Sequence, residues 1–301
     1  MKVVIGGASG LLGTALVAAM RQRGHDVVRL TRREATGPDE SRWDPYAGLV
    51  DRDLIGSADV VVNLAGAPLI GNPHSQKWAD AVRTSRVTTT RVLAEAIAAS
   101  GGRATYLAGN GISFYGDHGA EPLTESSDSR GDALLTSVTR DWEEATLPAS
   151  DAGARVCVLR TAPVLDRNSA PLKQLLLLFK LGLGGRLGDG RQFFPVISLR
   201  DWVAAVVFLA EIERVSGPVN LCCPTTPTNA EFTQALATAV SRPAFVPAPA
   251  FVLRPAAGKM APELLGSVNA RPQALLDAGF DFSDPDVAAV IAAGMSSPRT
   301  H

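Results

Sequence analysis

One glycine-spaced segment near the amino terminus constrains this chain more than any other feature: Gly7-Ala-Ser-Gly10-Leu-Leu-Gly13. It follows an apolar run, Lys2–Ile5, that reads as a buried strand. It opens a stretch in which Leu12, Ala15, Leu16 and Ala19 recur at helical spacing. A tight turn, a close backbone approach to an anion and a close helix–strand contact each need a residue without a Cβ. Gly7, Gly10 and Gly13 supply these in order. The backbone around Ser9, Leu11 and Leu12, with the helix dipole behind it, then faces a pyrophosphate. The same glycines remove a competing reading. Val3 to Met20 is uncharged over 18 residues, but its glycines break any continuous apolar helix of a leader or membrane span.

The next strand selects the dinucleotide. Asp26–Leu30 runs into Thr31-Arg32-Arg33, where a cofactor with a free ribose 2′-hydroxyl calls for Asp or Glu. Arg32 and Arg33 suit a 2′-phosphate, which a carboxylate would repel. Glu34, one position on, is either a surface residue or a weak competitor. The expectation is NADP(H), held more tightly than NADH; a solvated basic turn is the alternative.

Further β-rich runs at Val60–Leu64, Thr105–Ala108 and Arg155–Leu159 alternate with helical stripes. One stripe is Val87, Leu93, Ala94 and Ile97; another is Leu134, Val138 and Trp142. Near-continuous Val, Ile and Leu content fits strands buried on both faces. The predicted fold is α/β, a doubly wound parallel Rossmann sheet with a smaller C-terminal substrate-binding lobe. The texture changes after Val164. A Leu-rich helix (Leu172–Leu181) leads into a glycine-rich loop (Gly182–Gly190). A helix (Trp202–Glu213) and strand (Val219–Leu221) return to the sheet, followed by a helix near Ala230–Val240 and a Pro-rich stretch, Pro243 to Pro255. The expected division is an NADP-binding domain at residues 1–166 and 198–226, with the lobe at 167–197 and 227–301. The glycine-rich loop lacks the Gly-Lys-Ser/Thr of a phosphate-binding P-loop and reads as a flap beside the cleft or as a chain reversal.

Composition narrows the partners. Lys and Arg number 29 against 30 Asp and Glu, a net charge of −1, so no global charge attracts nucleic acid or an anionic membrane. Cys157, Cys222 and Cys223 form no disulfide framework, and the four His have no metal-binding spacing. A small-molecule substrate or ligand, no metal and a cytoplasmic location are expected, and a homodimer is compatible with the sequence. No Gly-x-Ser-x-Gly elbow is present, which excludes an α/β-hydrolase.

Gly7–Gly13, Asn63-Leu-Ala-Gly66 and Tyr115-Gly116 resemble extended short-chain dehydrogenases/reductases. The whole chain resembles their atypical subfamily, the epimerase family proteins, related to bacterial cell-division-inhibitor homologues. The resemblance rests on Trp43-Asp44-Pro45, Ser85-Arg86-Val87, Trp142-Glu143, Arg160-Thr161, Gly190-Arg191-Gln192, Gly217-Pro218-Val219-Asn220, Asn229-x-Glu231-Phe232 and Gly279-Phe280. It implies that Asn63, Leu64, Ala65 and Gly66 line the adenosine side of the cleft and that Asp44 approaches the adenine. It places the backbone from Thr161 through Pro163 to Val164 near the nicotinamide. Arg86 stands where many extended members carry a cofactor-touching Asn; it suits a phosphate or is a surface helix residue.

Classical members use a Ser and a Tyr-x-x-x-Lys pair, in which Lys lowers the Tyr pKa for proton exchange. Here only three Tyr occur, and Tyr46, Tyr106 and Tyr115 are followed at that spacing by Val50, Asn110 and Gly119. The resemblance puts Leu135 at the Tyr position, Thr139 at the Lys position and Gly111 at the Ser position, so all three roles are vacant. Tyr115 is the remaining catalytic candidate, with Asp117, His118 and Glu125 in the same loop; Arg160 and Arg191 could hold an anionic substrate or cap structure. Two functions are compatible with this pattern. One is an NADP-dependent oxidoreductase or epimerase for a small carbonyl or hydroxyl substrate. The other is a non-catalytic NADPH-binding sensor.

Overall fold

The computed structural model describes residues 1–244 and 247–297. Seven parallel strands form the central sheet: β1 (Lys2–Gly6), β2 (Asp26–Thr31), β3 (Glu40–Arg42), β4 (Val60–Asn63), β5 (Thr105–Gly111), β6 (Val156–Thr161) and β7 (Gly217–Leu221). Their spatial order is β7-β6-β5-β4-β1-β2-β3, so the chain reverses its direction of sheet growth between β1 and β4. The helices α1 (Leu11–Gln22), α2 (Gln76–Ala99) and α3 (Leu134–Glu144) cross over between strands.

The apolar strands work by alternation. Val3 and Ile5 of β1 join Val60 and Val62 of β4, Leu107 of β5 and Leu159 of β6 in one core. Val4, Val61, Tyr106 and Val158 point the other way, into a second core with Leu93 and Ile97 of α2. Each such side chain contributes about 1.5–3 kcal/mol by leaving water. Two-sided burial is what turns a period-two strand into a continuous apolar run.

A third core gathers Leu165, Leu172, Phe179, Val196, Phe232, Leu236 and Ile291 from late segments. Two short parallel pairings join distant pieces of chain: Val164–Leu165 with Ile197–Ser198, and Pro122–Leu123 with Asn269–Ala270. The Leu-rich helix covers Ala170–Lys180 and the returning helix covers Leu199–Glu211, capped by Ser198. The latter begins earlier than its apolar stripe because Ser198 Oγ accepts from the Asp201 amide, starting the first turn. The Pro-rich stretch differs from its sequence reading as well, since Ala250–Ala257 is helical with Pro255 inside; its residues 245 and 246 lie outside the described residues. Among the described residues no helix is long and apolar enough to cross a membrane.

Candidate functional site

The carboxyl ends of β1 and β4 meet at the point of reversal, where open α/β sheets leave a crevice. Gly7 there has φ +78°, and a Cβ on it would lie 2.5 Å from the Leu64 carbonyl carbon and 2.6 Å from Ala65 N. The loop after β1 is thus pressed against the loop after β4. A Cβ on Gly13 would lie 2.3 Å from Gly7 O, so α1 sits directly on the same turn. Gly10 is different: its Cβ would meet only Gly7 O, at 3.6 Å, and its outer side is open. No side chain caps α1 and no acidic residue occupies its first turn, while Ser9 and Gly10 are exposed and Leu11 and Leu12 half-buried. Close approach is required on two sides of this turn and room is left on the third, which suits a bound diphosphate.

Asn63 braces the facing loop. It is fully buried, its Oδ1 accepts from Ala65 N at 3.1 Å, and its Nδ2 donates to the Thr90 and Thr89 hydroxyls. Arg86 reaches the same loop from α2. Its Nη1 donates to Ala67 O at 3.1 Å, its side chain packs on Gly66, and its guanidinium lies over the Trp142 ring. No carboxylate pairs with it among the described residues, and burial pulls its pKa down to about 10. A solvated surface Arg has neither property.

The two arginines after β2 divide. Arg33 is engaged, with Nη2 donating to Glu40 Oε1 at 2.6 Å and Nη1 to Thr36 Oγ1. Arg32 is exposed and has no side-chain hydrogen bond or ion pair among the described residues. Glu34 is drawn off by Arg42, at 2.5 Å, and so does not oppose an anion at Arg32. Thr31 ends β2, its carbonyl accepting from Trp43 N. Trp43 packs beside Gly6, which brings exposed Asp44 to this end of the sheet, where its Oδ1 accepts from Tyr46 N. At the end of β6, Thr161 Oγ1 accepts from Trp202 Nε1 and Pro163 O accepts from Ile197 N.

The three positions left without chemistry lie near one another. A Cβ on Gly111 would lie 3.3 Å from Thr139 Cγ2, and Thr139 Oγ1 bonds back to the Leu135 carbonyl one turn earlier. Leu135 packs with Val82, Val138, Trp78 and Met260. No ionisable side chain occupies any of the three.

Tyr115, the catalytic candidate of the sequence, lies in the core. It is fully buried; its hydroxyl donates to Asn220 Oδ1 at 2.7 Å and accepts from Arg160 Nη1 at 3.0 Å, and burial pushes its pKa up to about 12. Arg160 is held by Glu143, at 3.1 Å, so it is no free anion receptor. Asp117 accepts from the Gly119 and Ser267 amides, and Glu125 from those of Asn220 and Ala274. His118 is buried, with Nε2 at 3.0 Å from Tyr115 O. These groups fasten the loop. Arg191 is exposed, next to an Asp189 that binds its amide. The glycine-rich loop is tied down at several points, including Gly188 N to Ala248 O and Leu187 N to Asn229 Oδ1.

A polar contact unseen in the sequence lies beside Gly111. Ser113, in the turn Ile112–Tyr115, donates from Oγ to Glu263 Oε2 at 2.6 Å. Glu263 comes from the short helix Ala261–Leu265, and burial raises its carboxyl pKa against the weaker lowering by the Ser113 hydrogen bond. No spacing links residues 150 positions apart. Because the folded carboxyl holds its proton more tightly than the unfolded one, stability declines as pH rises through the interval between the two pKa values. Glu263→Gln keeps the shape without the charge. It should raise the urea midpoint at neutral pH and leave it unchanged below the ordinary carboxylate range, which parallel denaturation series at the two pH values will show.

Two surface cavities, of about 640 and 870 Å³, lie elsewhere. The first is beside Arg155 and Gly217 at the amino ends of β6 and β7; the second lies between α1 and the helix Leu199–Glu211.

Residues 3–222 match the model of the NAD dependent epimerase/dehydratase family. The chain belongs to that family. Residues 248–293 of this family member also match a domain of unknown function, DUF1731. An epimerase family protein of Mycobacterium leprae is 40% identical over 281 residues, covering 93% of this chain and 91% of that protein. The crystal structure of human epimerase family protein SDR39U1 (isoform 2) with NADPH superposes with a TM-score of 0.87 at 31% identity, over 99% of this chain and 100% of that one. A nucleoside-diphosphate sugar epimerase of Corynebacterium glutamicum gives a TM-score of 0.79 at 36% identity, over 98% of this chain and 58% of that one.

Proposed function

We propose that this family member binds NADP(H) and acts as an oxidoreductase- or epimerase-like protein on a small carbonyl or hydroxyl substrate, without the usual Ser and Tyr-x-x-x-Lys groups. Arg32 carries the reading: an unpaired guanidinium stands beyond β2, where a carboxylate would select against a 2′-phosphate. The human relative crystallised with NADPH supports the same choice.

In this reading the turn through Gly7, Ser9, Gly10, Leu11, Leu12 and Gly13 holds the diphosphate. Arg86, half-buried without a carboxylate, balances its charge from the side of Leu64, Ala65 and Gly66. Arg32 takes the 2′-phosphate beside Thr31, while Arg33 is committed to Glu40 and steadies the turn. Asp44 borders the adenine, and Thr161 and Pro163 border the nicotinamide. The cofactor, when bound, supplies or accepts a hydride; the chain orients it and keeps water from the apolar face around Leu135.

A charge-assisted hydrogen bond is worth about 1.5–3 kcal/mol, which is roughly 10–100-fold in affinity. Calorimetric titration should therefore show NADPH binding more tightly than NADH. Arg32→Ala should weaken NADPH by about that factor and leave NADH nearly unaffected. Equal affinities for the two in the wild type would sink the assignment. The vacant positions at Gly111, Leu135 and Thr139 favour a second reading, a non-catalytic NADPH sensor. That reading predicts the same titrations with no NADPH consumption across a panel of carbonyl compounds.

A further inference from the structure

Ser113 and Glu263 meet beside the vacant positions. Gly111 ends β5, and Ser113 follows two residues later in a half-exposed turn. The Gly111 position abuts Thr139, so Ser113 borders the place where the resemblance puts the hydroxyl chemistry of classical members. Glu263 arrives from the C-terminal segment with its carboxylate 2.6 Å from the Ser113 hydroxyl. Met260, three residues earlier, packs in the apolar cluster of Leu135, which anchors the segment over α3.

We infer that Ser113 and Glu263 form a proton-delivery pair for the reaction, in place of the missing Tyr and Lys. The inference rests on the NADP(H) reading above. Ser113 would touch the substrate oxygen and is the catalytic member; Glu263 acts through it and is a positioning and proton-storing residue. In the reducing direction, the hydride for the carbonyl carbon would be supplied by the bound cofactor, and the C=O π pair would move to oxygen. That oxygen takes the proton of the Ser113 hydroxyl. Ser113 recovers a proton from the Glu263 carboxylic acid, and the resulting carboxylate is reprotonated by water. In the oxidising direction each transfer reverses, with Glu263 starting as the carboxylate.

The hydrogen bond serves both states. At 2.6 Å an ionised Glu263 accepts from the hydroxyl, and a protonated Glu263 donates to it and frees the Ser113 proton to face the substrate. Burial favours the protonated form. Charged and titratable groups sit on the elements packed nearby. They are Asp117 after the turn, His74 on the loop after β4, Lys259 on Glu263's own segment, Arg140 and Asp141 on α3, and Arg186 and Asp189 in the glycine-rich loop. None forms an ion pair with Glu263 among the described residues. Its titration is therefore governed by burial and by Ser113.

The test uses NADPH as the probe and needs no substrate. Fluorescence of NADPH bound to the full chain is followed across pH, with Glu263→Gln, Ser113→Ala and the exposed control Glu95→Gln in parallel. Wild type and Glu95→Gln should show a step above the ordinary glutamate range. Glu263→Gln should abolish that step, and Ser113→Ala should move it to higher pH because a donor to the carboxylate is gone. A step that survives Glu263→Gln, or no step in the wild type with NADPH bound, overturns the pair and leaves the cofactor reading standing. Failure of NADPH to bind the wild type at all overturns the cofactor reading, and the pair falls with it.

Discussion

Gly7→Ala should both unsettle the fold and abolish dinucleotide binding, whereas Gly10→Ala should do only the second. A Cβ on residue 7 would stand 2.5 Å from a backbone carbon of Leu64, and the residue's φ of +78° is itself unfavourable for any side chain. Backbone on both sides cannot swing away as the tip of a flexible side chain can. Strain at positive φ costs about 1–3 kcal/mol and overpacking a similar amount, so the expected loss is roughly 2–6 kcal/mol. That is a large part of a typical domain's 5–15 kcal/mol or so. At residue 10 the added methyl meets only Gly7 O at 3.6 Å, so the urea midpoint should stay put while the methyl occupies the open side of the turn. Urea denaturation and NADPH titration of both variants check the pair. A wild-type midpoint for Gly7→Ala would show that the two loops can part without cost.

Arg160→Met should destabilise the protein by about 1.5–3 kcal/mol, the worth of hydrogen bonds to a charged group, because the guanidinium is buried while Glu143 keeps contact with water. The guanidinium is enclosed. It bonds both Glu143 oxygens at 3.1 Å, donates to Tyr115 Oη and Glu125 O, and stacks 3.5 Å from the Phe114 ring centroid. Methionine fills similar space but leaves Glu143 without its partner. Arg160→Lys should rescue little, because an ammonium cannot reproduce the planar fork. Arg160→Met with Glu143→Gln should cost less than the sum of the single changes, since the orphaned charge is removed. If denaturation put Arg160→Met within about 1 kcal/mol of the wild type, the network would not be what holds this loop.

The glycine turn, the apolar strands and the lack of a Tyr-x-x-x-Lys spacing were legible because each is a local pattern. Turn glycines, two-sided burial and a fixed four-residue spacing leave their marks within a few residues. The short strand β3, Glu40–Arg42, left none: it is polar, carries no apolar run, and pairs with β2 at the sheet edge. The ion pair that engages Arg33 and leaves Arg32 unpaired was also hidden. It depends on Glu40, whose reach toward Arg33 is decided by strand pairing rather than by sequence distance. The burial of Tyr115 was hidden for a similar reason. Its surroundings are set by Arg160 and Asn220, on two strands that come much later in the chain.

The hydrogen bond from Ser113 to Glu263 also has a consequence in time. Its partners are 150 residues apart. At about 5–20 residues per second, a ribosome needs roughly 8–30 s to deliver the second after the first. The glycine turn and its facing loop, complete by Gly66, are therefore synthesised well before Glu263, and the contact that closes over Ser113 is among the last to form.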